Sequence, residues 1–222
     1  MIVKTVFNME VLHIKIDIGI FPRSYVSDVP ESGGFFPFAI DGATTYLYDI
    51  SFAERKDEKE VEEFVSKWMR ALDKFPVYIF FECFDFHQKE IEEECNSRSI
   101  EYMEFKWREN DFFFKVKVEN IKQFNVIFPY AYANGSMNNF ACLSLEEDVF
   151  RIGNRNFNNV WGKNENIETP IIILNENNSV FWVNYDGDSI VFISNDKRYS
   201  LLSLVIKTLP KETNYSIIEF GE

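Results

Sequence analysis

The chain has 222 residues, 46% hydrophobic and 17% aromatic, with a formal net charge of −13 and a pI near 4.7. That length buries a core without disulfide or metal staples, and that apolar content excludes a disordered tail. A field of this sign repels nucleic acid and anionic membrane and attracts a basic partner.

The first twenty residues alternate, with Leu12, Ile14, Ile16 and Ile18 facing one way and His13, Lys15 and Asp17 the other. Period two predicts a half-buried strand, not a signal peptide. Pro22 to Gly34 is rich in Pro, Ser, Asp and Gly and reads as a loop. Asp41-Gly42 lies between Phe35–Ile40 and Thr44–Tyr48, a pattern that predicts a hairpin because its turn needs positive φ.

Residues Asp57 to Leu72 carry the clearest helical signal, with Val61, Phe64, Val65, Trp68, Met69 and Leu72 on one face. Asp57 and Glu60 form a capping-box pattern, and Pro76 supplies a stop. Val77 to Phe84 reads as a central strand, and Asp85 with Gln88 predicts a capped second helix through Cys95. Ile100–Trp107 and Phe112–Val118 flank a polar Arg108–Asp111 turn and read as a hairpin.

Composition shifts near Gln123, where asparagine becomes dense. We therefore place a boundary near residue 125, giving an N-terminal module over 1–125 and a C-terminal module over 126–222. Strands are expected near Val126–Phe128 and Val149–Ile152. A three-strand meander is expected from Ile171 to Ser194, turning at Asp186-Gly187, then a short helix over Tyr199–Leu209 and a last strand over Ser216–Phe220. The fold class expected is α+β, with mixed, mainly antiparallel twisted sheets and helices packed on one face.

Candidate chemistry is sparse. His87, Glu90 and Glu94 fall on one helix face, but no second ligand-bearing element completes a metal shell. Cys83 and His87 could pair as thiolate and imidazole, yet Cys83 lies within an apolar run, where cysteine is usually an inert hydrophobe. The three cysteines, Cys83, Cys95 and Cys142, show no C-x-x-C spacing and describe no disulfide scaffold; with neither a signal peptide nor a membrane span expected, the chain is expected in the cytoplasm with reduced thiols. Phosphate-binding glycine loops are missing, and Asn184–Asp188 fits a hairpin turn better than a calcium loop. No cofactor, metal or catalytic residue is expected. The remaining feature is charge: residues 54–63 and 82–94 are acidic, and Glu58, Glu62, Glu63, Glu92 and Glu93 are the expected partner contacts.

The segment from about Asp148 to Leu209 resembles the C-terminal part of the SUKH superfamily of bacterial toxin-immunity proteins. The matching residues are Arg151-Ile-Gly153, Pro170-Ile-Ile-Ile-Leu174, Val180-Phe-Trp-Val183 and Ile190-Val-Phe-Ile-Ser-Asn-Asp196, then an apolar helix. The match covers about a third of the chain, and the first 125 residues do not show that family's usual helical opening. The resemblance implies strands followed by a final helix on a twisted sheet. It also implies a non-enzymatic protein that binds and neutralises a toxin; the charge in turn points to an acidic surface contacting a basic partner and to no direct contact with nucleic acid or membrane. Two rival readings are an acidic charge-mimic decoy of a DNA-binding protein and an enzyme whose site is assembled from distant residues.

Overall fold

In a computed structural model of the chain, which describes residues 14–22, 36–52, 57–107, 111–158 and 163–219, the alternation of the first strand becomes burial. Within β1 (Lys15–Ile20), Ile16 and Ile18 are fully buried, Lys15 is exposed and Asp17 is half-buried. Leu12, His13 and the expected loop over residues 23–34 lie outside the described residues.

Chain order continues with β2 (Ala39–Asp41), β3 (Tyr46–Phe52), α1 (Glu58–Leu72), β4 (Val77–Phe84), α2 (Asp85–Ser97), β5 (Glu101–Lys106), β6 (Asp111–Val118) and α3 (Ile121–Ser136). It ends with β7 (Ala141–Leu145), β8 (Phe150–Asn158), β9 (Asn164–Ile173), β10 (Ser179–Val183), β11 (Ser189–Ser194), α4 (Leu202–Ile206) and β12 (Asn214–Ile218). Nine strands form one sheet in the order β12-β1-β3-β11-β10-β7-β4-β6-β5; β2, β9 and β8 form a second. The β1–β12 and β2–β9 pairs are parallel and the other pairs antiparallel. The class is α+β, as the patterning indicates.

Two buried layers explain the aromatic content. Alternate residues of the large sheet point to opposite faces. Phe181 and Phe192 pack on one face with Phe64 and Trp68 of α1 and Phe124 and Phe128 of α3. Phe80, Trp182 and Val191 pack on the other face with Phe36, Phe38, Phe140 and Phe150. There, the Phe36 and Phe38 rings meet the Trp182 indole edge-on, at centroid distances of 5.2 and 5.5 Å. Helices therefore cover one face of the large sheet and the small sheet covers the other.

The long helix forms as its stripe dictates. The Asp57 carboxylate accepts from the Lys59 backbone N–H at its start, and Val61, Phe64, Val65, Trp68 and Met69 are all buried. At its far end Asp73 adopts a left-handed conformation and its N–H closes on the Met69 carbonyl. The hairpin of β5 and β6 also forms.

Several expectations are corrected. Asp41-Gly42 joins no hairpin: β2 pairs with β9 in the small sheet, whereas β3 runs in the large one. Gly42 does take a positive φ of 119°, and a Cβ there would lie 2.4 Å from the Leu174 carbonyl oxygen. The turn chemistry is right, but the chain uses it to cross between sheets. Asn195 anchors that crossing, accepting from the Thr45 N–H and donating to the Ala43 carbonyl. The expected strand at Val126–Phe128 is the middle of α3. Asn120 caps that helix at Lys122 and Gln123, and Phe124, Ile127, Phe128 and Ala131 bury at helical spacing despite Pro129.

The three-strand meander is a two-strand hairpin, because β9 belongs to the small sheet. Asp85 does not cap α2. Phe84 occupies that position without a side-chain bond, and Gln88 donates instead to Glu104 across 2.8 Å. The boundary near residue 125 falls inside α3, and strands from both sides of it interleave in the nine-stranded sheet. No helix among the described residues is long and apolar enough to cross a membrane.

Candidate functional site

A charged residue cannot be placed inside a buried strand without a desolvation cost, so a carboxylate there is informative. β3 reads Tyr46-Leu-Tyr-Asp-Ile-Ser-Phe52, and its centre is Asp49, only 5% exposed. Leu47, Asp49 and Ser51 share one side of the strand by the two-residue period. In register, Ser51 lies opposite Ser189 of β11 and Asp17 of β1, while Asp49 lies opposite Gly19.

The β10–β11 connection completes the surroundings. Asn184 accepts from the Tyr185 N–H and donates to the Ser189 hydroxyl, which sets a tight turn with Asp186 and Gly187 both at positive φ. Tyr132 of α3 donates to the Gly187 carbonyl at 3.0 Å. A Cβ on residue 187 would sit 2.8 Å from Ser136 Cβ, so glycine allows α3 to hold the turn against the sheet end.

These elements enclose a hollow of about 610 Å³. Asp49, Asp186 and Asp188 supply its charge, and Ser51, Ser136, Ser189 and Asn184 its polar lining, with Phe52 at one side. Among the described residues none of those lining it is basic. Ser51 donates to Asp49 Oδ2, but Asp49 Oδ1 has no hydrogen-bond partner. Burial pushes the Asp49 carboxyl above the ordinary range, and the Ser51 and Ser189 hydroxyls pull it partly back.

The sign of that shift gives an expected result. A raised carboxyl favours the neutral acid in the fold, so wild type loses stability as pH rises past the unfolded value of about 4. Asp49→Asn carries no charge to bury. It should be more stable than wild type by on the order of 1 kcal/mol near neutral pH, with the gain vanishing below about pH 4. Denaturant titrations of both proteins at several pH values check this; a loss of stability at neutral pH would show that the fold needs the carboxylate.

The first turn of α1 extends the negative pole. Burial is the main cause that raises the Tyr132 phenol, followed by the charges of Glu58, Asp188 and Glu62. Those three carboxylates therefore act on one point. Glu62 is itself raised, chiefly by burial and then by Glu58. A smaller cleft of about 250 Å³ runs between α1 and α3, but Lys59 lines it beside Glu62 and Glu63. Glu63 also pairs with Lys67 at 2.9 Å.

Glu92 and Glu93 stand apart from this pole. They sit on α2, and α3 packs against both α1 and α2, so the five expected contact glutamates form two groups rather than one patch. Glu93 is exposed. Burial and the adjoining Glu92 carboxyl push Glu104 of β5 up, and Gln88 opposes the rise. Asp49 stands alone in an apolar strand and Asp186 and Asp188 share one turn, so none of them belongs to the acidic runs of the sequence.

The other candidates are engaged elsewhere. The His87 ring nitrogen lies 3.4 Å from Asn134 Nδ2, Glu90 accepts from Tyr130 at 2.8 Å, and Glu94 pairs with Arg98 at 2.6 Å. Among the described residues no three His, Cys, Asp or Glu side chains converge as a metal group. Cys83, Cys95 and Cys142 are free and buried. Burial, reinforced by Glu104, Glu82, Asp111 and Asp85, pushes the Cys83 thiol up to about 12; burial and then Glu94 do the same for Cys95. Burial raises Cys142 as well. In native protein all three should resist a thiol-reactive chromogen at neutral pH and react fully in denaturant. Rapid labelling of one thiol in the native state would revive the nucleophile reading for that residue.

Compared with known protein families, with curated proteins and with solved structures, the chain matches none.

Proposed function

We propose that the chain is a non-enzymatic, cytoplasmic immunity-type protein that binds and neutralises a toxin, its acidic surface receiving a basic partner. The observation that carries this reading is the negative pole where Asp49, Asp186 and Asp188 share a hollow whose other described lining residues carry no positive charge. Glu58 and Glu62 add to it from α1. Like charges lining one hollow repel one another, and a cationic surface relieves that repulsion while being steered toward it. The resemblance of the segment from Asp148 to Leu209 to the SUKH superfamily supports the same class. The buried, high-pKa thiols offer no ready nucleophile for the rival enzyme reading.

Co-expression with toxins encoded beside its gene tests the proposal. Rescue of growth by the wild-type chain, and its loss when Glu58 and Glu62 are both changed to lysine, is the expected result. Failure to rescue against every such toxin would remove the immunity reading.

A further inference from the structure

We propose that the hollow floored by Asp49 is a receptor for one arginine side chain of the protein partner. This assignment rests on the acidic-surface reading above and gives it a specific anchor. A ring of surface acids alone would not point to a ligand. Asp49 does, because it is 95% buried by its 5% exposure, lines the hollow, and leaves Oδ1 without a hydrogen-bond donor. The large sheet bears a desolvated carboxylate there, opposite a glycine, where an apolar residue would pack at lower cost.

The chemistry of the lining selects the cation. Acceptors are spread around the hollow, from Asp49 at the floor to Asp186 and Asp188 on the turn. They do not converge with the spacing a metal ion requires. A guanidinium is planar, presents five donors in a fan and is weakly hydrated, so it can reach several separated acceptors and enter a buried site at modest desolvation cost. A lysine ammonium is compact and strongly hydrated and meets fewer of them. Phe52 at the edge of the hollow offers an apolar surface for the methylene stem.

The test titrates the full chain with acetyl-Gly-Arg-Gly-amide, and with its citrulline and lysine counterparts, following backbone amide resonances. Saturable shifts confined to residues 49–52 and 184–189, with citrulline inert and lysine weaker, are expected. Asp49→Asn should weaken the arginine peptide about tenfold or more, the loss typical of one charge-assisted bond. Because that variant is expected to be more stable than wild type, a folding defect would show separately in its denaturation curve. If it does not fold, Asp188→Asn on the turn takes its place, with a severalfold loss expected. Equal binding of citrulline or lysine, shifts elsewhere, or unchanged affinity in the variants overturns the assignment. So does the absence of any saturable shift at about 20 mM peptide, above the millimolar constants of weak specific contacts. Growth rescue without peptide binding removes the arginine hollow and leaves the immunity reading; peptide binding without rescue does the reverse.

Discussion

Replacing Trp68 by alanine should cost about 3–5 kcal/mol of stability, the range for deleting a large buried aromatic. Trp68 is 0% exposed and lies on the α1 stripe. Its indole meets Phe181 edge-on at 4.9 Å and Phe192 at 6.2 Å, so it joins α1 to both strands of the β10–β11 hairpin. The indole Nε1 also donates to Thr208 Oγ1 at 2.9 Å, tying the helix to the segment after α4. Trp68→Phe separates these contributions. It keeps most of the apolar area but removes the hydrogen bond, and should cost roughly 1 kcal/mol plus the smaller ring's cavity. Thr208 donates to the Val205 carbonyl in either case and is not stranded. Urea unfolding of the two variants gives the comparison. A loss below about 1 kcal/mol for Trp68→Ala would mean that this face of α1 is not core and is itself a docking candidate.

Trp68 shows what kind of information a sequence carries well. Fifteen residues with a capping aspartate, an apolar stripe and a downstream proline agree at every level, and α1 forms where that agreement places it. α3 lacks such agreement. Pro129 stands inside it, and its aromatic and branched residues mimic a strand over three positions. The helix survives because Asn120 caps it and Phe124, Ile127 and Phe128 bury against the sheet. Tertiary packing overrides local preference there.

Topology was less legible still. Asp41-Gly42 announces a positive φ, but nothing local says that Ala39–Asp41 will pair with Ile171–Ile173 while the next strand joins another sheet. The hollow has the same character: Asp49, Ser136 and the 184–189 turn converge from distant parts of the chain. Its one local signal is Asp49 itself, a charge in the middle of an apolar strand. Acidic runs are easier to see, yet Glu63 and Glu94 in those runs are paired with Lys67 and Arg98. Density of charge in sequence is thus a weaker guide than lack of a partner in space.

That distinction sets the second large effect. Changing Glu58 and Glu62 together to lysine should slow association with the basic partner by about ten- to a hundredfold at low salt. Both carboxylates act on Tyr132 together with Asp188, so their reversal weakens the negative field beside the hollow. Glu58 is exposed and Glu62 only half-buried, which places the effect in steering more than in a desolvated contact. Rim charges of that kind change the association rate, whereas loss of a buried charged pair raises the dissociation rate. Asp49→Asn should therefore act on dissociation and the two glutamates on association. Salt separates them again, because the Debye length falls from about 10 Å at 0.1 M to about 3 Å at 1 M. The glutamate effect should shrink across that range and the Asp49 effect should largely persist. Reversing Glu92 and Glu93 on α2 should do less, since neither lines the hollow nor acts on Tyr132 with Asp188. Rates measured at both salt concentrations decide the matter. If the Glu58 and Glu62 reversal leaves association unchanged, the negative pole serves solubility alone. If the α2 reversal proves the stronger, the partner docks across α2, and Glu92 with Glu104 becomes the pair to examine.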